Sequence, residues 1–364
     1  MFDPAANYLI HGDAREALPL LGETFRERVR CAFIDPPYNT GNTAGRGQRY
    51  SDRRSRGDWL RLMRETCSGL RELLSADGSL FVQIDDNEMD RLRILLDDVF
   101  GEDAFIARIT IDARAPSQFS TVNRGLFKAS EYLLWYARDR SAFRWNPQRV
   151  PRPPDRAYGL WLQNPEAEPG AWTFRPLGEV ARERDVEADT LRVEHAARVC
   201  RLASISDTKA GKPIRAIKAI SKADPGRVHV VERPGRDPQY VLRGQQLLFY
   251  ANNVTVLDGK KTATRPLTNV WTDIRWEGIA REGGVRFKYG KKPERLVRRC
   301  LELASDPGDR VIDCFLGSGT TAAVAEKTGR RWIGVEEAEH IDLCRQRLSG
   351  DYAFKRLTRA VEKA

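Results

Sequence analysis

Val311-Ile312-Asp313-Cys314-Phe315-Leu316-Gly317-Ser318-Gly319-Thr320-Thr321 opens as an apolar run, passes two glycines, and continues as Ala322-Ala323-Val324-Ala325-Glu326-Lys327 before stopping at Gly329. This reads as strand, glycine loop, helix. Glycine at 317 and 319 lets the backbone approach a ligand closely. The next apolar run, Trp332-Ile333-Gly334-Val335, ends at Glu336, nineteen positions after Gly317. An acid at that distance can hydrogen-bond a ribose hydroxyl, as in dinucleotide folds. A P-loop would need lysine after the second glycine, where this chain has Thr320. A nicotinamide cofactor prefers a third glycine, and Ala322 stands there, a replacement that motif sometimes tolerates. A nucleoside cofactor without a pyrophosphate, such as S-adenosylmethionine, needs only backbone approach and the acid. The loop alone leaves the last two open.

A second motif lies near the other end. Cys31-Ala32-Phe33-Ile34 is an apolar strand, and Asp35-Pro36-Pro37-Tyr38 follows it. The carboxylate can accept a hydrogen bond from an exocyclic amine. The two prolines stiffen the turn and leave carbonyls without competing N–H groups. The aromatic ring offers a face for a nucleobase. The preceding strand places all of them at the carboxyl edge of a sheet, where open α/β folds put their ligands. Joined to this turn, the glycine loop points to the methyl donor.

Bulk composition bounds the core and the kind of partner. With 364 residues and 41% hydrophobic content, it can bury one large core or two ordinary ones. Lys plus Arg total 61 against 51 Asp plus Glu, a formal charge of +10 that favours a polyanionic partner. None of the six cysteines forms a C-x-x-C pair and the four histidines are scattered, so no zinc spacing exists. Cys31, Cys300 and Cys314 read as small buried hydrophobes, and a reducing cytoplasm is the expected compartment. The Met1-Phe2-Asp3-Pro4 start lacks the features of a signal peptide, and no apolar stretch is long enough to span a bilayer.

Residues 1–138 alternate strands with amphipathic helices. Tyr8 to Ile10, Cys31 to Ile34, Leu80 to Ile84 and Glu131 to Ala137 read as strands. Trp59 to Leu74 reads as a helix broken by Ala76-Asp77-Gly78, and Asn87 as the cap of a second helix through Phe100. Such alternation implies a doubly wound, mostly parallel α/β sheet covered on both faces. Residues 139–270 differ: prolines are dense at first, Trp145, Trp161 and Trp172 are interleaved with charge, and Lys209 to Lys222 is basic. This reads as an inserted module of short strands and loops. Its aromatics suit base stacking or, for any one of them, the filling of a small core. The α/β pattern returns over 271–349, with Pro293 in the first turn of a helix, and 350–364 reads as a charged tail.

These motifs, in this order, resemble the DNA amino-methyltransferases that act on adenine N6 or cytosine N4, in their β-type circular order. There the Asp-Pro-Pro-Tyr half comes first, a target-recognition insert follows, and the cofactor loop comes last. The stretches that carry the resemblance are Asp35-Pro-Pro-Tyr-Asn-Thr-Gly-Asn42, Ser79 to Asn87, Glu131-Tyr-Leu-Leu-Trp-Tyr-Ala137, Leu267-Thr-Asn-Val-Trp-Thr-Asp-Ile274, Lys292-Pro-Glu-Arg-Leu296 and Phe315-Leu-Gly-Ser-Gly-Thr-Thr321. The nearest flavour is the modification subunit of type III restriction systems.

The resemblance implies a Rossmann-like fold, S-adenosylmethionine as cofactor, and methylation of N6 on a flipped-out adenine in duplex DNA. Asp35 and the Pro36 carbonyl, braced by Pro37, would hold the amine, and Tyr38 would stack on the base. Asp313, Phe315, Gly317, Ser318, Gly319 and Thr320 would form the cofactor loop, with the two glycines lining the methionine part. Glu336 would bind the ribose, Asp13 would contact the adenine, and Lys292 with Pro293 would pack beside the methionine moiety. No metal is required.

Cytosine-N4 transfer is the alternative, although that group's turn usually begins with Ser. A non-catalytic DNA-binding specificity subunit of the same fold is another. The implied partners are double-stranded DNA, a second copy in a homodimer, and a restriction subunit; the implied setting is cytoplasmic and nucleoid-associated. Cys314 and Leu316 replace the family's frequent Pro and Ala, which implies altered packing beneath the loop. The chain is shorter than most type III modification subunits, so a solitary methyltransferase also fits.

Overall fold

The computed structural model describes residues 2–39, 54–113, 128–257, 259–287, 290–338 and 341–357. The chain divides into two compact units. One is formed by Met1–Pro147 with Thr268–Ala364, the other by Gln148–Leu267.

The first unit is built on a nine-stranded sheet. Its spatial order is Val270–Trp271, Phe105–Asp112, Ser130–Ala137, Leu74–Ile84, Val29–Ile34, Arg310–Asp313, Arg331–Glu336, Tyr8–His11 and Ala353–Arg356. Every neighbouring pair is parallel except the two made by Ser130–Ala137, which therefore runs against all the others. The expected doubly wound, mostly parallel sheet is what forms.

Strand and helix sequences explain the layering. Ala32 and Ile34 join one buried cluster with Leu18, Leu21 and Phe25 of the Ala14–Phe25 helix and Trp59, Met63 and Leu70 of Arg56–Leu73. The alternate residues Cys31 and Phe33 are equally buried, and Glu294–Ala304 packs on the same strand. Burial on both faces is why these strands read as continuous apolar runs and not as alternation. Caps fix the helix starts: Asp13 accepts from Arg15 N–H, and Ser55 Oγ accepts from Asp58 N–H.

The second unit holds an antiparallel six-stranded sheet, in the order His229–Arg233, Arg236–Leu242, Gln245–Phe249, Val199–Ala203, Leu160–Leu162 and Phe174–Pro176. A three-stranded sheet of Val254–Leu257, Lys260–Pro266 and Arg149–Pro151 accompanies it. Leu242 and Gln245 close a two-residue hairpin through Arg243 (φ 55°) and Gly244 (φ 71°), the left-handed pair that such tight turns require. Trp161, Leu177, Leu191, Val199 and Tyr250 form a core, so Trp161 is a packing residue. Trp172 is packed against Tyr240 and Phe249, and its indole donates to the Ala167 carbonyl at 2.8 Å.

Four local expectations are corrected. Leu74–Ile84 is one strand through Ala76-Asp77-Gly78, because its pairing with Val29–Ile34 absorbs a bulge there. Asn87 does not cap the next helix; its side chain turns to Asp85 at 2.7 Å, and the helix runs Met89–Phe100 behind Glu88. The basic run of the second unit is the helix Lys212–Ala223, with Ile214 and Ile217 packed on Ile205, Val231 and Val241. The stretch after 350 is not only a tail. Ala353–Arg356 pairs with Tyr8–His11, an edge position held by backbone bonds that needs no apolar periodicity. Residues 40–42 of the turn motif and 358–364 lie outside the described residues.

All six cysteines are buried and unpaired. Among the described residues, no helix is long and apolar enough to cross a membrane, and no cluster of ligating side chains could hold a metal ion.

Candidate active site

Parallel pairing decides which side chains meet. Cys31 pairs with Val311 and Ala32 with Ile312, so the turn after Ile34 and the loop after Asp313 emerge from neighbouring strand ends. The Arg331–Glu336 strand lies next, and Tyr8–His11 beyond it, with Gly12 N–H donating to the Glu336 carbonyl at 3.0 Å. Asp35, Gly317, Glu336 and Asp13 thus follow four successive strands along one carboxyl edge. Asp112 and Ile84 end on that edge too. The reversed strand reaches it with its beginning, because Ile84 pairs with Tyr132. That places Glu131 beside the turn.

The turn is held from below. The Trp59 indole, fully buried, donates to the Pro37 carbonyl at 2.7 Å. Asn39 adopts φ 54° and donates to Glu88 Oε1 at 3.0 Å. Between turn and reversed strand lies one buried ammonium. Lys292 Nζ stands 3.3 Å from Asp35 Oδ1, donates to Glu131 Oε2 at 3.0 Å and to Tyr38 Oη at 2.7 Å, and lies 4.7 Å from the Tyr38 ring centroid. Tyr38 Oη donates in turn to Glu131 at 2.9 Å, and Gln83 Nε2 donates to the same oxygen at 2.6 Å.

Charge follows from this arrangement. Burial pushes the Asp35 carboxyl up to about 6, with Lys292 opposing the rise and Glu131 adding to it. Burial acts on Glu131 in the same sense, but Lys292, Gln83 and Tyr38 outweigh it and hold that carboxyl at about 2. Burial alone would lower Lys292; Asp35 and Glu131 overcome it, and its pKa is raised. Burial also raises the Tyr38 phenol, helped by the two carboxylates. At neutral pH the site therefore holds two carboxylates, one ammonium and a neutral phenol. Its net negative charge favours a group on which positive charge grows.

The glycine loop is tied in three places. Gly317 (φ 57°) donates its N–H to Glu336 Oε2 at 2.7 Å, and Ala338 N–H binds Glu336 Oε1 at 2.8 Å. Asp313 accepts from Phe315 N–H at 3.0 Å and Thr321 Oγ1 at 2.6 Å, and burial pushes its carboxyl up to about 7. Arg347, buried, reaches Ser318 Oγ at 3.1 Å and Thr320 Oγ1 at 2.8 Å while pairing with Glu294 at 2.7 Å. Gly319 (φ 80°) precedes the Thr320–Lys327 helix, and an added Cβ there would lie 3.4 Å from Cys344. Among the described residues, a Cβ on Gly317 would meet only the Phe315 carbonyl, at 3.9 Å. The described residues leave that side of the loop open, as backbone contact with a bound nucleoside requires.

The sequence-derived residues are therefore brought together, some in roles that sequence did not suggest. Lys292 sets its ammonium between Tyr38, Glu131 and Asp35. Asp313 braces its own loop. Asp13 caps the Ala14–Phe25 helix and pairs with Arg15 at 2.6 Å. Glu131, Gln83, Trp59 and Arg347 were missed. Glu131 sat inside a quoted family stretch, and only the direction of its strand shows where its carboxylate goes.

Known proteins give the setting. The chain is 27% identical over 379 residues to the HindVI Mod subunit, named as a candidate type III restriction-modification enzyme of Haemophilus influenzae, covering 93% of this chain and 49% of that one. It is 30% identical over 412 residues to the EcoPI Mod subunit of Escherichia phage P1, covering 95% and 60%. The chain thus spans about half to three-fifths of the length of these relatives. A Thermus thermophilus protein, named as a candidate DNA modification methylase and solved with S-adenosyl-L-methionine, is 15% identical with a TM-score of 0.47, covering 97% of this chain and 100% of that one. A family model for DNA methylases of the N6/N4 type matches residues 29–344, and the chain belongs to that family.

Proposed function

We propose that this chain transfers a methyl group from S-adenosylmethionine to the N6 amine of an adenine in duplex DNA. The observation that carries the reading is the pairing of Val29–Ile34 with Arg310–Asp313, which sets the Asp35 turn beside the Gly317 loop. Gly317, Gly319 and the Ser318–Thr320 backbone would hold the cofactor's methionine part, Glu336 its ribose and Asp13 its adenine. When bound, S-adenosylmethionine supplies a methyl group already activated on a sulfonium.

The remaining work falls to this chain's residues. An exocyclic amine is a poor nucleophile because its lone pair is conjugated into the ring. Asp35 and the Pro36 carbonyl would accept its two N–H bonds and free that lone pair. Positioning supplies most of the remaining barrier reduction. The fixed negative charge of Asp35 and Glu131 would favour the cationic nitrogen that forms as the carbon–sulfur bond breaks, and the proton it then releases would leave through Asp35 to solvent.

A base in a duplex must first be extruded, at a cost of about a few kcal/mol. Stacking on Tyr38 would return roughly 1–3 kcal/mol of that. Asp35, in place of the Ser usual in cytosine-N4 enzymes, favours adenine. The excess of basic residues supports backbone contacts with DNA, and Gln148–Leu267 is the region we assign to target recognition. The relatives named as Mod subunits support a restriction-modification setting; a restriction subunit or a second copy as partner, and the cytoplasmic nucleoid as location, belong to the same proposal.

The test is nucleoside mass spectrometry of unmodified genomic DNA incubated with the protein and S-adenosylmethionine. N6-methyladenine is the expected product. N4-methylcytosine in its place would overturn the choice of base, and no methylated nucleoside would overturn the reading.

A further inference from the structure

One carboxylate in the pocket enters the scheme so far only as fixed negative charge. Glu131 is buried, opens the reversed strand, and collects Tyr38 Oη, Gln83 Nε2 and Lys292 Nζ at 2.9, 2.6 and 3.0 Å on one oxygen. We propose that Glu131 is a positioning residue that draws the Lys292 ammonium and the Tyr38 hydroxyl to itself, leaving Asp35 able to accept the target amine. The inference rests on the methyl-transfer reading.

The distances set the logic. An ammonium has three donors. Here two go to Tyr38 Oη and Glu131, at 2.7 and 3.0 Å, and Asp35 receives the longest contact, 3.3 Å. Lys292 is buried and must keep an anionic partner, since an isolated buried ammonium is costly. With Glu131 present, that need is met away from the turn. With a neutral side chain at 131, Asp35 is the remaining carboxylate in contact with the lysine, and a close pair would occupy the oxygens the amine requires. Tyr38 is fixed by the same carboxylate: its hydroxyl sits between Lys292 and Glu131, which gives the ring a single orientation for stacking.

The groups facing Asp35 are Lys292, Glu131 and Tyr38, with Asp313 across the neighbouring strand. Transfer needs Asp35 ionised, so its deprotonation sets the acid limb of the pH–rate profile. Glu131 raises the Asp35 pKa and Lys292 lowers it. Glu131→Gln should therefore move the acid limb to lower pH, and Lys292→Met should move it higher. A residue that merely supports the fold would shift neither.

The experiment measures kcat, KM for S-adenosylmethionine and the pH profile for wild type, Glu131→Gln, Tyr38→Phe and the double variant. Glu131→Gln is expected to lose about 10–100-fold in kcat, the scale of a misplaced reacting group, with KM for the cofactor unchanged. Tyr38→Phe removes the same hydrogen bond, and the double variant should be little worse than Glu131→Gln alone. If Glu131→Gln does not fold, a roughly tenfold kcat loss in Tyr38→Phe with unchanged cofactor KM carries the test. Wild-type kcat and an unmoved acid limb in Glu131→Gln, or independent multiplying losses in the double variant, would overturn the inference while leaving the methyl-transfer reading intact. Absence of transfer by the wild type would overturn both.

Discussion

Replacing Asp35 by Asn should inactivate the protein and stabilise it. In the folded chain, burial raises the Asp35 carboxyl from its ordinary 3.8 to about 6 despite Lys292. That gap corresponds to about 3 kcal/mol in favour of the neutral form. The sign follows from linkage. A raised folded pKa contributes stability that is fully present below 3.8 and is lost as pH rises through about 6. At pH 8 the wild type therefore carries the whole penalty of an ionised, desolvated carboxylate, and Asn does not. Lys292 keeps Glu131 at 3.0 Å, so no buried ammonium is stranded. The variant should gain about 3 kcal/mol at pH 8 and about half of that at pH 5. Its kcat should fall by about 10²–10³, the usual cost of removing one fixed group that faces developing charge. Hydrogen exchange of the slowest amides in Val29–Ile34 reads opening of this unit alone and is the assay of choice. Equal or lower protection in Asp35→Asn, or a gain that does not shrink between pH 8 and pH 5, would refute the view that this carboxylate is kept charged at the expense of stability.

Gly317→Ala forces a side chain onto φ 57°, a strain of about 1–2 kcal/mol, so cofactor Kd by calorimetry should rise about tenfold while DNA binding holds. An unchanged Kd would separate the loop from the cofactor. Tyr38→Ala should lose more turnover than Tyr38→Phe, by the 1–3 kcal/mol or so of base stacking; equal losses would move the role from the ring to the hydroxyl. Arg347→Met removes the donor that Ser318 and Thr320 share and leaves Glu294 paired with Lys327 alone, which should cost about 1–3 kcal/mol in urea unfolding and weaken cofactor binding. A variant as stable as wild type would show that the glycine loop stands without it.

Much of this was legible in the chain because two motifs carry their own local structure. Apolar runs ending in Asp35 and Asp313 mark strands buried on both faces, and the residues that follow name the carboxyl edge. Lys292 was visible only as part of Lys-Pro, and its long stem reaches a neighbour that no spacing reveals. Glu131 was hidden for a topological reason. An acid at the start of an apolar strand normally lies at the amino edge of a parallel sheet, away from the ligand. The reversal of Ser130–Ala137 brings it to the opposite edge, and strand direction is not written in periodicity. Asn87 failed as a cap because Asp85 offered it a nearer partner. Ala353–Arg356 escaped notice because an edge strand pairs through backbone and buries little.

The most direct test of a single pocket built from the Asp35 turn and the Gly317 loop is methyl transfer by Asp35→Ala, measured beside its affinity for S-adenosylmethionine. The account predicts wild-type cofactor binding with no labelled methyl on DNA. Transfer at the wild-type rate by that variant would contradict it.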